Sequence, residues 1–180
     1  SRDGITSNPQ VLVSQLESGS VWEVSTNAGS SWTPGSGNSF SLAEGSYASN
    51  QVRVRQQDTA GNISSATGNS SAWLIDTTAP QFIAGSSTTA AAILENSGSN
   101  RVVYTPPMGA TEAATGGVLR YSLLSGGDAN NFSVGTFSGA VRLLNNPDYE
   151  TQSSYVFTLR ARDVAGNATD QVVSLQVLDV

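Results

Sequence analysis

Two copies of one five-residue phrase, Asp58-Thr-Ala-Gly-Asn62 and Asp163-Val-Ala-Gly-Asn167, each close a run in which apolar and polar residues alternate. Before the first, Val52 and Val54 alternate with Arg53 and Arg55. Before the second, Tyr155, Phe157, Leu159 and Ala161 alternate with Thr158, Arg160 and Arg162. A period of two puts one face of a strand in a core and the other in water, and the Asp-to-Asn phrase supplies the turn that follows. The same design used twice predicts two β modules of related construction. Between them lies Asp76-Thr-Thr-Ala-Pro80, where proline holds Ala79 extended and two β-branched threonines stiffen the chain, a short taut joint. The expected modules are 1–78 and 79–180.

Length supports this division, since 180 residues suffice for two small domains, each with a modest core. What the chain lacks narrows its chemistry. It contains no cysteine and no histidine, so thiol nucleophiles, imidazole bases, disulfides and the usual zinc ligands are excluded. All eight cations are arginines, and the net charge of −6 disfavours nucleic acid and anionic lipid as partners. No stretch approaches the ~18 apolar residues of a membrane-spanning helix, so direct membrane insertion is not expected. The opening Ser-Arg-Asp-Gly reads as a cut from a longer chain.

Short apolar runs between turn residues, with no helical period, predict an all-β protein of about seven strands per module. In the first module the strands are expected around Val11-Leu-Val13, Val21-Trp-Glu-Val24, Trp32, Ser39-Phe-Ser-Leu42, Val52 to Asp58 and Ser71 to Ile75. Thr26-Asn-Ala-Gly-Ser30 offers Asn27 and Gly29 for positive φ in a tight turn, which places Trp22 and Trp32 on neighbouring strands. Such tryptophans belong to a core or, if exposed as a pair, stack on a sugar ring. In the second module the strands are expected around Gln81 to Ile83, Arg101 to Tyr104, Val118 to Leu124, Phe132 to Val134, Ala140 to Leu144, Tyr155 to Ala161 and Val172 to Val180.

The ordered elements Tyr121-Ser-Leu-Leu-Ser-Gly126, Asn131-Phe-Ser-Val134, Ser138-Gly-Ala-Val-Arg-Leu143, Pro147-Asp-Tyr-Glu-Thr151 and Tyr155-x-Phe-x-Leu-x-Ala-x-Asp163 resemble the cadherin repeat. Gly19-Ser-Val-Trp-Glu-Val-Ser25, Ser31-Trp-Thr33 and Val52 to Asn62 resemble bacterial Ig-like repeats of giant calcium-dependent (RTX-type) surface adhesins. The resemblance implies Greek-key β-sandwiches strung end to end, Ig-like then cadherin-like, with Ca2+ at the junctions. Gly135 stands where the cadherin pattern carries an aspartate, and the Pro106 to Gly117 loop offers Glu112 as its acidic residue.

Calcium takes about six to eight hard oxygens, so carboxylates distant in sequence must converge, and in a sandwich they do so at its ends. With strands running alternately up and down, Glu95, Asp148, Glu150 and Asp179 are expected to gather at the carboxy-terminal end of the second module. Glu44 and Asp76 then lie at the bottom of the first module, towards Asp163 and Glu112 at the top of the second. Asp3, Glu17 and Asp58 remain for the amino-terminal end. For Asp58 and Asp163 the alternative is a hairpin turn in which aspartate caps its own backbone. Glu23, Asp128 and Asp170 read as solvated surface charges. No catalytic residues are expected, since paired carboxylates at loop ends lack a cleft. The reading is a calcium-stiffened extender of a bacterial surface adhesin, extracellular, whose partners are neighbouring modules of the same chain. The alternative is a module that binds a cell-surface glycan or protein, with homophilic contact between cells as a third.

Overall fold

A computed structural model describes residues 4–83, 88–107 and 118–180. The chain divides into two compact units, Ser1–Thr77 and Thr78–Val180. Among the described residues the regular elements are strands, apart from one 3-10 turn at Ala129–Asn131.

The described residues of unit 1 form nine short strands. β1 (Ile5–Thr6), β9 (Trp73–Ile75) and β6 (Gly45–Tyr47) form one sheet, with β9 central, parallel to β1 and antiparallel to β6. β2 (Gln10–Leu12) pairs with β5 (Ser39–Ser41). The largest sheet runs β4 (Thr33–Pro34), β3 (Val21–Ser25), β7 (Arg53–Gln57), β8 (Thr67–Gly68). Its interior is small: Leu42, Val52 and Ile75 form the buried cluster, with Val11, Val24, Phe40, Tyr47 and Trp73 partly covered against it. Polar residues finish the packing. Asn69 is buried, accepts from the Val52 amide at 2.9 Å and donates to the carbonyls of Ala48 and Ser71, tying β7 to the chain around β8.

Two local expectations are corrected. Trp32 lies beside β4 rather than in it, because the strand is only two residues long and begins at Thr33. In the Thr26–Ser30 turn the positive φ values fall on Ala28 (60°) and Gly29 (94°), not on Asn27. The Asn27 side chain instead accepts from the Ser25 hydroxyl and the Ser31 amide, which holds the turn from outside.

The described residues of unit 2 form two sheets over one continuous core. β10 (Ile93–Leu94), β16 (Ala168–Leu178), β15 (Ser154–Arg162) and β12 (Arg120–Leu123) form the first; β11 (Arg101–Tyr104), β14 (Val141–Leu143) and β13 (Phe132–Val134) form the second. The period-two pattern of β15 appears as burial of Tyr155, Phe157, Leu159 and Ala161, which meet Val173, Leu175 and Val177 of β16 and Val141 and Leu143 across the sandwich. Phe157 stacks at 4.6 Å on Phe132, and burying such a ring contributes about 1.5–3 kcal/mol. In β11 a register shift between Val102 and Tyr104 breaks the alternation, so Val103 and Tyr104 are both buried. The Tyr104 hydroxyl donates to Gln171 Oε1 at 3.0 Å, satisfying two polar groups inside the core.

Candidate metal centre

Glu95 follows directly on β10, whose parallel pairing with the end of β16 (Ile93 with Val177, Leu94 with Leu178) carries it to the end of the sandwich. There its amide donates to the Leu178 carbonyl at 2.9 Å. Asp148 and Glu150 arrive from the other side, on the connection between β14 and β15, which is held to the Glu95 strand by Asn96 N–H to Pro147 O at 2.8 Å. One oxygen from each of Glu95, Asp148 and Glu150 lies within 4.8 Å of the others, and among the described residues this is the group of three acidic side chains that comes so close.

The three carboxylates are held unequally. Glu95 is 7 % exposed, yet the amides of Tyr149 (3.1 Å, to Oε2) and Val180 (3.2 Å, to Oε1) hold its carboxyl below the usual range, outweighing burial. Asp148 is also lowered, first by the Thr151 hydroxyl (2.9 Å) and then by its amide (3.0 Å). Glu150 goes the other way. Its own backbone amide lowers it, but repulsion from Glu95, desolvation, a hydrogen bond shared with Glu95 and repulsion from Asp179 together raise it. Without a cation, then, a proton on Glu150 relieves crowding with Glu95. A divalent ion would relieve it better. The donors are hard oxygens with no nitrogen or sulfur, a set suited to calcium and unsuited to zinc. Asp179 is exposed and close enough to act on Glu150.

Glu44 and Asp76 are brought together at one end of unit 1. Gly45 pairs with Ile75, so the residues just outside that pair are neighbours. Glu44 Oε2 accepts from the Thr77 hydroxyl at 2.8 Å and its amide at 3.2 Å, while Asp76 is buried and its amide donates to Thr6 O. Asp58 and Asp163 occupy two nearly identical turns. Asp58 Oδ1 accepts from the amides of Ala60 and Asn62, and Oδ2 from Asn62 Nδ2 at 2.7 Å. Asp163 Oδ1 accepts from the amides of Gly166 and Asn167, and Oδ2 from Asn167 Nδ2 at 2.8 Å. Both aspartates are thus engaged in closing their own hairpins. The Glu17 amide donates to Gln56 Oε1 at 2.9 Å. Asp3 and Glu112 fall outside the described residues.

Three residues read as solvated charges have structural partners. Glu23 holds Arg55 at 2.7 Å, and the same guanidinium covers the Trp32 ring at 4.1 Å. Asp170 takes a two-pronged contact from Arg160, 2.7 and 2.8 Å. Asp128 accepts from the Val156 amide at 2.7 Å and Gln152 Nε2 at 2.9 Å, fastening the 3-10 turn to β15. Its place before that turn, after Gly126-Gly127, was the available signal, but the side chain serves β15 instead of capping the turn. Of the tryptophans, Trp22 is buried, donating to Gly37 O at 2.9 Å, and Trp73 is half-buried along a groove of about 440 Å³ in unit 1.

Residues 89–178, half of the chain, match the Cadherin domain family. Cadherin-99C of Drosophila melanogaster is 33 % identical over 60 residues, 33 % of this chain and 4 % of that protein. Protocadherin Fat 4 of Mus musculus is 29 % identical over 66 residues, 37 % of this chain and 1 % of that protein. The chain therefore spans a small fraction of the length of these relatives. Among solved structures, Drosophila N-cadherin EC1-3 aligns over 98 % of this chain and 62 % of that one at 21 % identity and TM-score 0.49. The third cadherin domain of human protocadherin 7 aligns over 56 % and 87 % at 20 % identity and TM-score 0.46.

Proposed function

The chain belongs to the Cadherin domain family, and we propose that it is a calcium-stiffened extender segment of a bacterial surface adhesin, with unit 2 its cadherin-like module and unit 1 an Ig-like one. Cadherin domains are extracellular adhesion modules rather than enzymes, so the work of the segment is to hold and space a contact. The observation that carries the reading is the convergence of Glu95, Asp148 and Glu150 at the carboxy-terminal end of unit 2. These three would hold calcium, with Asp179 beside them and further oxygens from water or a following module. The same ion bound across a junction would restrict bending, because opening the joint would strip oxygens from it. Glu44 and Asp76 at one end of unit 1, Asp163 in unit 2 and Asp58 with Asp3 remain candidate ligands on the sequence pattern, and at Asp58 and Asp163 an ion would share the carboxylate with the hairpin amides it already accepts from.

Calorimetric titration with calcium, together with thermal melts in calcium and in EGTA, tests the reading. Calcium at a hundredfold excess over Kd should stabilise unit 2 by about 2.7 kcal/mol. Asp148→Ala with Glu150→Ala should remove both the uptake at this end and the shift. Equal melting points in calcium and chelator would sink the proposal.

A second reading, binding of a neutral saccharide, rests on Trp73 and Phe40 in the unit 1 groove, whose rim carries Ser64, Ser65, Thr67 and Ser70. Tryptophan emission should then change on addition of a neutral glycan and stay unchanged in Trp73→Ala. No response across a glycan panel would leave the extender reading alone.

A further inference from the structure

We infer that unit 1 is a force-limited reserve of length: when the chain is pulled from its ends, unit 1 opens before unit 2. This rests on the extender reading, since only a chain under tension makes use of it. In both units the first and last paired strands run parallel, β1 with β9 and β10 with β16. Tension then draws the first strand backward and the last strand forward, so their hydrogen bonds are sheared as a group instead of being peeled one at a time.

The two seams differ in length. In unit 1 it runs from the Gly4 carbonyl, which accepts from Leu74 at 2.7 Å, to the Thr6 carbonyl, which accepts from Asp76 at 3.0 Å. In unit 2 it begins where the Ser174 amide donates to Thr88 O at 2.9 Å, continues through Ala90 N–H to Ser174 O at 2.7 Å and the Ile93–Leu94 pairing, and ends with Glu95 N–H to Leu178 O at 2.9 Å. What lies behind each seam differs as well. β9 is backed by a three-residue cluster and by the groove of about 440 Å³, so water reaches beside Phe40 and Trp73. β16 is backed by a nine-residue ladder with β15 and by a continuous buried core. Forced opening follows the unfolding barrier, and a short seam over a thin core gives the lower one.

Once its seam parts, the unit 1 chain between Gly4 and Asp76 releases roughly 250 Å of extended length, and unit 2 between Thr88 and Leu178 roughly 310 Å, each less the folded unit's own span. The full chain held between handles in an optical trap, in saturating calcium, should show two ruptures, the shorter increment at the lower force in nearly every trace. Gly4→Ala should lower that force and leave the second unchanged, because Gly4 has φ +75° and an added Cβ would sit 2.5 Å from the Ala72 carbonyl oxygen. Ile5→Cys with Leu74→Cys joins the paired residues in a chain that has no other cysteine. Oxidised, that variant should lose the short low-force increment, and reduction should restore it. The longer increment appearing first, or the short one persisting with the disulfide closed as shown by thiol titration, would overturn the inference. Failure of the calcium melts would remove the extender reading but not the rupture order, so the two failures are separable.

Discussion

Replacing Asp163 by alanine should destabilise unit 2 through its turn. The carboxylate accepts from Gly166 N–H at 2.6 Å, Asn167 N–H at 2.9 Å and Asn167 Nδ2 at 2.8 Å, and the residue is 3 % exposed. A hydrogen bond to a charged group contributes about 1.5–3 kcal/mol net, but three on one carboxylate are not additive, and the freed donors on the half-buried turn regain some water. A loss of about 3 kcal/mol follows. At ~4–8 °C per kcal/mol for a domain of this size, the transition of unit 2 should fall by about 12–24 °C. All three tryptophans lie in unit 1, so their emission follows that unit, while scanning calorimetry sees both transitions. The calorimetric transition of unit 2 should move and the tryptophan transition should not. Asp58→Ala, at the more exposed copy of the turn, should lower unit 1 by less. A fall for Asp163→Ala below about 4 °C would mean that the turn bonds are not what the residue supplies. A fall seen in calcium but absent in EGTA would assign the residue to a cation instead of to its hairpin.

The acidic cluster gives a pH dependence whose direction follows from its unequal carboxylates. Glu150 is raised in the folded state, so without metal it favours folding below its unfolded value of 4.5, and that contribution is lost as pH rises through its folded value. Glu95 and Asp148 are lowered, so their contributions are full above their unfolded values and disappear as pH falls through the folded ones. Calcium bound at the cluster would remove the repulsion that raises Glu150. The melting shift between calcium and EGTA should therefore grow as pH climbs from about 4 to about 7, and a shift of constant size over that range would refute the assignment. Gly35→Ala should destabilise unit 1, because a Cβ there would run into the indole of buried Trp22. Overpacking of this kind costs typically about 1–3 kcal/mol, read as an earlier tryptophan transition, and an unchanged transition would show that the indole has room to move. Phe157→Ala should cost about 3–5 kcal/mol in unit 2, since the ring packs on both Phe132 and Tyr104. A loss under about 1 kcal/mol would show that this part of the core collapses to refill the space.

Much of the local design can be read from residue order. The alternation of Tyr155 to Ala161 appears as a buried face because side-chain direction in a strand is a two-residue matter. The Asp-x-Ala-Gly-Asn turns close on their own aspartates because donors and acceptor lie within five residues. Two-residue strands such as β1, β4 and β8 carry too few side chains for a pattern, and they form only because a longer neighbour offers its edge. The partners of Glu23 and Asp170 could not be read along the chain, since Arg55 and Arg160 reach them across strand pairings set by register.

The sequence by itself determined the β class, the buried face of β15, the two hairpin turns and the choice of oxygen donors without nitrogen or sulfur, whereas the alternation of Val52 to Arg55 gave no fully buried face in β7. That Glu95, Asp148 and Glu150 gather at one end is an expectation from the alternation of strands, and tertiary structure decided how closely they meet. Glu95 is more than fifty residues from Asp148 and Glu150, and they converge because β10 runs parallel to the end of β16 while the β14–β15 connection returns to the same end. A one-residue slip in the β10 pairing would turn Glu95 to the other face and dissolve the cluster. Hydropathy and turn chemistry act over a few residues. The position of a charge depends on register, and the packing of the whole sandwich sets the register.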